Sequence, residues 1–271
     1  MRLKSAVFAA AAGAAGVYAY RTLLRPWWRA WGVDPREADL PLPGDSLVPE
    51  PDHIETRGID IAAPPEAVWP WLVQMGYGRA GWYSYDRIDM QGGSAWTIRP
   101  ELQRLEAGEL VPTHPGGGFV VRELEPDRAL VLYIDDAIVE AQAKAARAAA
   151  ADGTAEATPA GLRASGAFLS ATSTPRFVAS WAFVLEPRGR GSRLVERFRV
   201  VMQGGGSASK LGGPFLGFGV FLMMRKQLLG IRERAERTPA GGAAPAAEAT
   251  TGVDEGSSAG VEARAEGSSP A

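Results

Sequence analysis

The 271 residues contain no cysteine and only two histidines, His53 and His114. The first absence excludes a disulfide framework, a thiolate zinc site and a cysteine nucleophile, and it leaves the redox compartment undetermined. The second leaves too few imidazoles for a histidine metal centre: His114 lies in the turn-like run Thr113-His114-Pro115-Gly116-Gly117-Gly118, and His53 opens a strand pattern. Positive charge is not in excess either. The formal net charge is −2 with the arginines scattered, so the electrostatic footprint of a DNA or RNA binder is missing. Gly116-Gly117-Gly118 and Gly204-Gly205-Gly206 lack the strand-to-helix setting and the lysine of a phosphate loop, and Ser84 has no glycine-flanked elbow of a hydrolase nucleophile. No metal or cofactor is expected from these residues.

Long apolar runs are also scarce. The one charge-free stretch near the start, residues 5–20, is short of the ~20 residues that cross a bilayer. Arg2 and Lys4 precede it, Arg21, Arg25 and Arg29 follow it, and Leu23 and Leu24 extend it if Arg21 snorkels. With Trp27, Trp28 and Trp31 as an interfacial belt, residues 1–24 read as a hydrophobic membrane anchor. A cleaved signal peptide and a surface-lying Ala/Gly helix are the alternatives, and positive flanks on both sides leave the orientation open. Residues 25–52 read as a proline-rich connector, and within it residues 32–52 hold Pro35, Pro41, Pro43, Pro49 and Pro51, a composition that predicts an extended segment without helix.

The body of the chain, residues 53–237, begins with a strand pattern in which Ile59 and Ile61 alternate with Asp60. Pro64-Pro65-Glu66 then predicts a helix start, and Val68, Trp71, Leu72 and Met75 share one side of the helix, with Pro70 removing one internal hydrogen bond. Further on, Phe119–Leu124 and Ala129–Ile134 read as a hairpin about Glu125-Pro126-Asp127-Arg128. Phe177–Leu185 and Leu194–Met202 form a second pair around Pro187-Arg188-Gly189-Arg190-Gly191. Short connections predict an antiparallel sheet, and Trp181, Phe183 and Leu185 on one face, with Phe198, Val200 and Met202 on the next strand, require an apolar cover. A C-terminal helix from about Pro214 to Arg237 supplies it through Phe221, Met224, Leu228, Ile231 and Ala235, with Arg225, Lys226, Arg232, Glu233, Arg234 and Glu236 outside. The first turns of that helix are apolar all round, which predicts a second apolar surface, a membrane or a lipid-like ligand beside them. Between the strand pairs, residues 136–175 form an insertion: an alanine-rich helix over 137–151, then a loop of small residues. Residues 238–271, with Glu248, Asp254, Glu255, Glu262 and Glu266 against Arg264, read as a disordered tail.

These stretches resemble the SRPBCC superfamily, which includes START lipid-transfer domains, and within it a bacterial polyketide cyclase/dehydrase-like subgroup. The resemblance is carried by Arg25-Pro26-Trp27, Leu42-Pro43-Gly44-Asp45, Ala63 to Gly76, Gly78 to Asp86, Pro100-Glu101-Leu102-Gln103, Trp181 to Pro187 and Arg225 to Ile231. It implies an α+β helix-grip (START-like) fold, a curved antiparallel sheet wrapped around a long C-terminal helix, preceded here by the N-terminal hydrophobic helix. It also implies a cavity for a hydrophobic small molecule or lipid, with Trp71, Trp82, Tyr83, Tyr85, Asp86, Trp181, Phe183, Phe221 and Met224 as ligand-binding candidates. Fold alone names no reaction. Binding by a membrane-anchored domain is the leading expectation. A cyclase or dehydratase using Asp86 or a tyrosine for proton transfer, and a non-catalytic structural protein at a membrane surface, remain beside it. Each of Trp82, Tyr83 and Asp86 also has an ordinary structural reading, as core aromatic or helix cap.

Overall fold

A computed structural model of the chain describes residues 2–89, 93–115, 117–151, 176–203 and 207–237. The loop expected over 154–175, the tail from 238 and the Gly204-Gly205-Gly206 turn lie outside the described residues. Helix α1 (Arg2–Ala19) runs through a π-turn (Tyr20–Leu24) into α2 (Arg25–Arg29). Then come α3 (Pro35–Asp39), a 3-10 turn (Asp45–Leu47), β1 (His53–Ile61), α4 (Pro65–Val73), α5 (Asp86–Asp89) and a 3-10 turn (Pro100–Leu102). The order continues with β2 (Leu110–His114), β3 (Gly117–Glu125), β4 (Ala129–Ile134), α6 (Asp136–Ala151), β5 (Arg176–Arg188), β6 (Gly191–Gln203) and α7 (Ser207–Arg237).

The six strands form one curved antiparallel sheet in the order β1-β6-β5-β4-β3-β2, so the first strand closes against the last. Its inner face is apolar because strand residues alternate. Ile59, Leu194, Phe183, Leu185, Leu130 and Leu132 are buried there in one cluster with Val68, Trp71 and Leu72 of α4 and Leu228, Ile231 and Ala235 of α7. All five residues of the α7 stripe are buried, each removing surface worth about 1.5–3 kcal/mol for a full Phe, Leu or Ile side chain. Helix α7 starts earlier than its sequence pattern predicts, at Ser207, and continues through Pro214. Arg234, expected outside, is instead buried with its guanidinium over the Trp96 ring (4.0 Å) and the Tyr83 ring (4.6 Å), a setting in which a flat cation keeps its charge against aromatic faces.

The N-terminal fifth of the chain departs most from its expected form. Residues 25–52 are not a helix-free connector: Asp34 accepts hydrogen bonds from the Arg36 and Glu37 amides and Pro35 occupies the first turn, which together nucleate α3. This segment is a strap across the outer face of the sheet. Arg193 makes a bidentate pair with Glu37 (2.7 Å each), Arg197 binds Asp45 (2.7 Å) and the Ala38 carbonyl, and Arg199 binds the Val48 carbonyl (2.9 Å). Gly44 lies so close on Val131 of β4 that no side chain fits between them. As for the anchor, no helix among the described residues is long and apolar enough to cross a membrane. The 18 residues of α1 reach about 27 Å against a hydrocarbon core of ~30 Å, and alanine and glycine dominate them. The expected tryptophan belt is also divided. Trp27 is exposed, but Trp28 is buried against Phe221 and Trp31 lies under Arg225, both on α7.

Candidate functional site

The aromatic turn that follows α4 sends its side chains three ways. Tyr83 adopts a left-handed backbone (φ 58°), which turns its ring inward under α4. There its hydroxyl donates to the Trp71 carbonyl (3.1 Å) and accepts from Gln74 (2.9 Å). Burial, partly offset by the Gln74 hydrogen bond and by Arg234, pushes the phenol well above its usual range, so it stays protonated. Trp71 is packed edge-on against the same ring. Tyr85 points outward and is exposed, and Asp86, at the start of α5, accepts a hydrogen bond from Ser94, whose own oxygen accepts from the Tyr83 amide (3.1 Å). Trp71, Tyr83, Tyr85 and Asp86 therefore do not converge with the remaining candidates. Among the described residues no group of acidic or histidine side chains is arranged to hold a metal ion.

Trp82 goes the other way, onto the inner face of the sheet, where its ring stacks on Trp181 at 5.2 Å. Trp181 is the hub of this region: Phe183 lies 5.1 Å away, Phe119 5.8 Å and Phe198 6.1 Å, centroid to centroid. The residues come from β3, β5, β6 and the turn after α4, and strand alternation puts all of them on one side of the sheet. Three candidates, Trp82, Trp181 and Phe183, are thus brought into one neighbourhood, while Phe221 and Met224 of α7 lie against Arg57 of β1.

The same neighbourhood holds charged groups that were not among the candidates. Arg57 of β1 and Glu196 of β6 are direct cross-strand partners, both fully buried on the inner face. Arg57 forms an ion pair with Glu55, donates to the Met224 sulfur (2.8 Å) and lies over the Phe221 ring (5.6 Å). Trp181 donates its indole N–H to Glu196 Oε1 (2.7 Å). Two atoms remain without a hydrogen-bond partner, Arg57 Nε and Glu196 Oε2, and unmade bonds of this kind cost about 1–3 kcal/mol each. Burial, only partly offset by Arg57 and the Trp181 bond, pushes the Glu196 carboxyl up to about 7. The signal for this pair was in the sequence: counting by twos from Leu194 and Ile59 puts Glu196 and Arg57 on the core face. A separate cleft of about 250 Å³ on the outer side is lined by Asp34, Glu37, Glu186, Pro187, Arg188 and Arg193. Its Arg193 is already paired with Glu37 of the strap, and its lining is polar where the inner region is aromatic.

No family model matches the chain, and no curated protein matches it. Solved structures do. A Mesorhizobium loti protein, MLL2253, is 14% identical over 69% of this chain and 98% of its own, with a TM-score of 0.35. A conserved Geobacillus kaustophilus protein is 12% identical over 68% of this chain and 95% of its own (TM-score 0.35), and an Arthrobacter aurescens protein 12% identical over 71% and 94% (TM-score 0.34). At these values the likenesses assign neither an activity nor a ligand to this chain.

Proposed function

We propose that the chain is a helix-grip domain of the SRPBCC type that binds a hydrophobic small molecule or lipid between the inner face of its sheet and α7, while held at a membrane by its N-terminal segment. The observation that carries the reading is the incomplete covering of the aromatic row. Phe183 and Leu132 beneath α4 and α7 are sealed, but Trp181, Phe198 and Phe177 on the same face are only half-buried. Large aromatic surface left part-open on an otherwise closed interior gains by taking up an apolar guest.

The membrane part is supported by a second group of side chains. Val17, Tyr18, Leu23, Leu24 and Trp27 are exposed, and so are Phe218 and Leu222 of α7, which the Trp27–Phe221 ring contact (5.5 Å) brings to the same side. Before Asp34 the chain has five basic residues and no acidic one, a balance that suits an anionic surface. Association in the interface, not a crossing, fits the length of α1. Native mass spectrometry of the full chain extracted in mild detergent tests the binding reading. A co-purified apolar molecule is the expected result, and a protein that stays empty after incubation with an extract of total membrane lipid overturns it.

A further inference from the structure

Arg57 and Glu196 are cross-strand partners on the inner face, each with one buried atom that has no hydrogen-bond partner, Nε and Oε2, and the Trp181 bond puts Glu196 beside the half-open aromatic row. We propose that they are the polar anchor of the ligand site and select an amphipathic ligand whose head is an uncharged oxygen group, a hydroxyl or a carbonyl. The inference rests on the ligand-binding reading and adds to it the chemistry of the ligand head.

Charge and hydrogen-bond direction together select the ligand head. The charged groups around the anchor are Arg57 and Glu55 from β1, Arg29 from α2 and Glu196 from β6, two of each sign, while β5 contributes the Trp181 N–H and α7 the Met224 sulfur and the Phe221 ring. Glu55 already neutralises Arg57. With Arg29 held on the Ile54 carbonyl and Arg57 on Glu55, a ligand carboxylate entering here meets two carboxyl groups, and an ammonium head meets two guanidinium groups. A neutral oxygen leaves the balance untouched. It accepts from the Arg57 Nε–H, and a hydroxyl also donates to Glu196 Oε2 when that carboxyl is ionised or accepts from it when it is protonated, so one group can satisfy both orphaned atoms. Met224 and Phe221 hold the other side of the guanidinium, which fixes the direction in which Nε presents its hydrogen.

The test uses four ten-carbon probes that differ only at the head: 1-decanol, decane, decanoate and decylamine, each titrated calorimetrically into the full chain in a mild detergent at constant pH. The expected order places 1-decanol roughly tenfold tighter than decane, the worth of about one buried hydrogen bond, with both charged probes weaker than 1-decanol. Glu196→Leu should reduce the preference for 1-decanol over decane, leaving only what the Arg57 Nε–H supplies, whereas Glu196→Gln, which keeps an oxygen and a donor, should hold 1-decanol to within about threefold of the parent. Thermal unfolding checks that each variant folds; if Glu196→Leu does not, the order of the four probes and the Glu196→Gln value still decide. Equal binding of decane and 1-decanol, or tighter binding of either charged probe, overturns the anchor and leaves the binding site standing. No binding of any probe overturns the site itself.

Discussion

Glu196 is the residue whose surroundings most constrain what the protein does with pH. Its carboxyl sits fully buried between Arg57, Glu55 and the Trp181 indole, and its folded-state pKa of about 7 lies above the ordinary 4.5 of a glutamate. The folded state therefore holds a proton that the unfolded chain has released. The stabilising contribution is complete below about 4.5 and is lost as pH rises through about 7. Over that window the chain should lose up to about 3 kcal/mol of unfolding free energy, since each tenfold change in proton affinity is worth about 1.4 kcal/mol. Urea denaturation at pH 5 and pH 8 measures it, and Glu196→Gln should flatten the difference. An unchanged pH dependence in that variant would place the titration elsewhere. Asp86, by contrast, spends its carboxylate on Ser94, which in turn holds the Tyr83 amide, so the groups of the aromatic turn are tied to each other.

At the scale of elements, α7 is seated by a glycine. A β-carbon at Gly230 would fall on the Tyr83 carbonyl oxygen, whereas one at Gly219 would meet nothing within 4 Å. Gly230→Ala should therefore destabilise the fold by about 2–3 kcal/mol through overpacking, while Gly219→Ala should stabilise the helix by up to about 1 kcal/mol. Chemical denaturation of the two variants reads the opposite signs, and a shared sign would remove the Tyr83 contact as the seat. The α7 stripe from Phe221 to Ala235 was legible because a period near 3.6 with charges opposite has one reading. The strand pairs were legible from their period of two and their turns. The role of β6 was not. In Arg193-Leu194-Val195-Glu196-Arg197-Phe198-Arg199 the outward arginines look like a solvated edge until Glu37, Asp45 and the Ala38 and Val48 carbonyls are seen to meet them, and those partners lie about 150 positions away. The α3 helix was hidden for a related reason: five prolines outweighed a single capping residue, Asp34. Of the candidate site, the aromatic members were legible as large apolar residues on a buried face. The separation of Trp82 from Tyr83 was not, because it depends on one left-handed residue.

On the scale of the whole molecule the N-terminal region divides at about residue 25. Val17, Tyr18, Arg21, Leu23 and Leu24 before it are exposed, while Trp28 and Val48 after it are core and the strap from Asp34 to Asp52 closes the outer face. Removing residues 1–24 should release the protein from vesicles containing anionic lipid, as measured by co-sedimentation, and leave its unfolding midpoint in place. Removing residues 1–52 should lower the midpoint sharply, because it takes Asp45 from the buried Arg197 and leaves Arg193 with Asp60 (3.4 Å) in place of its bidentate Glu37. Equal midpoints for the two truncations would show that the strap is ornamental. The strand order has a consequence in time as well. Because β1 pairs only with β6, roughly 140 positions later, it has no partner while the intervening strands leave the ribosome. The β2 to β5 ladder can assemble early, and the Arg57–Glu196 pair comes into existence with the last strand made. The buried polar group beside the aromatic row is thus assembled only once β6 has been made, and α7, which follows, is the element that brings Met224 and Phe221 onto Arg57.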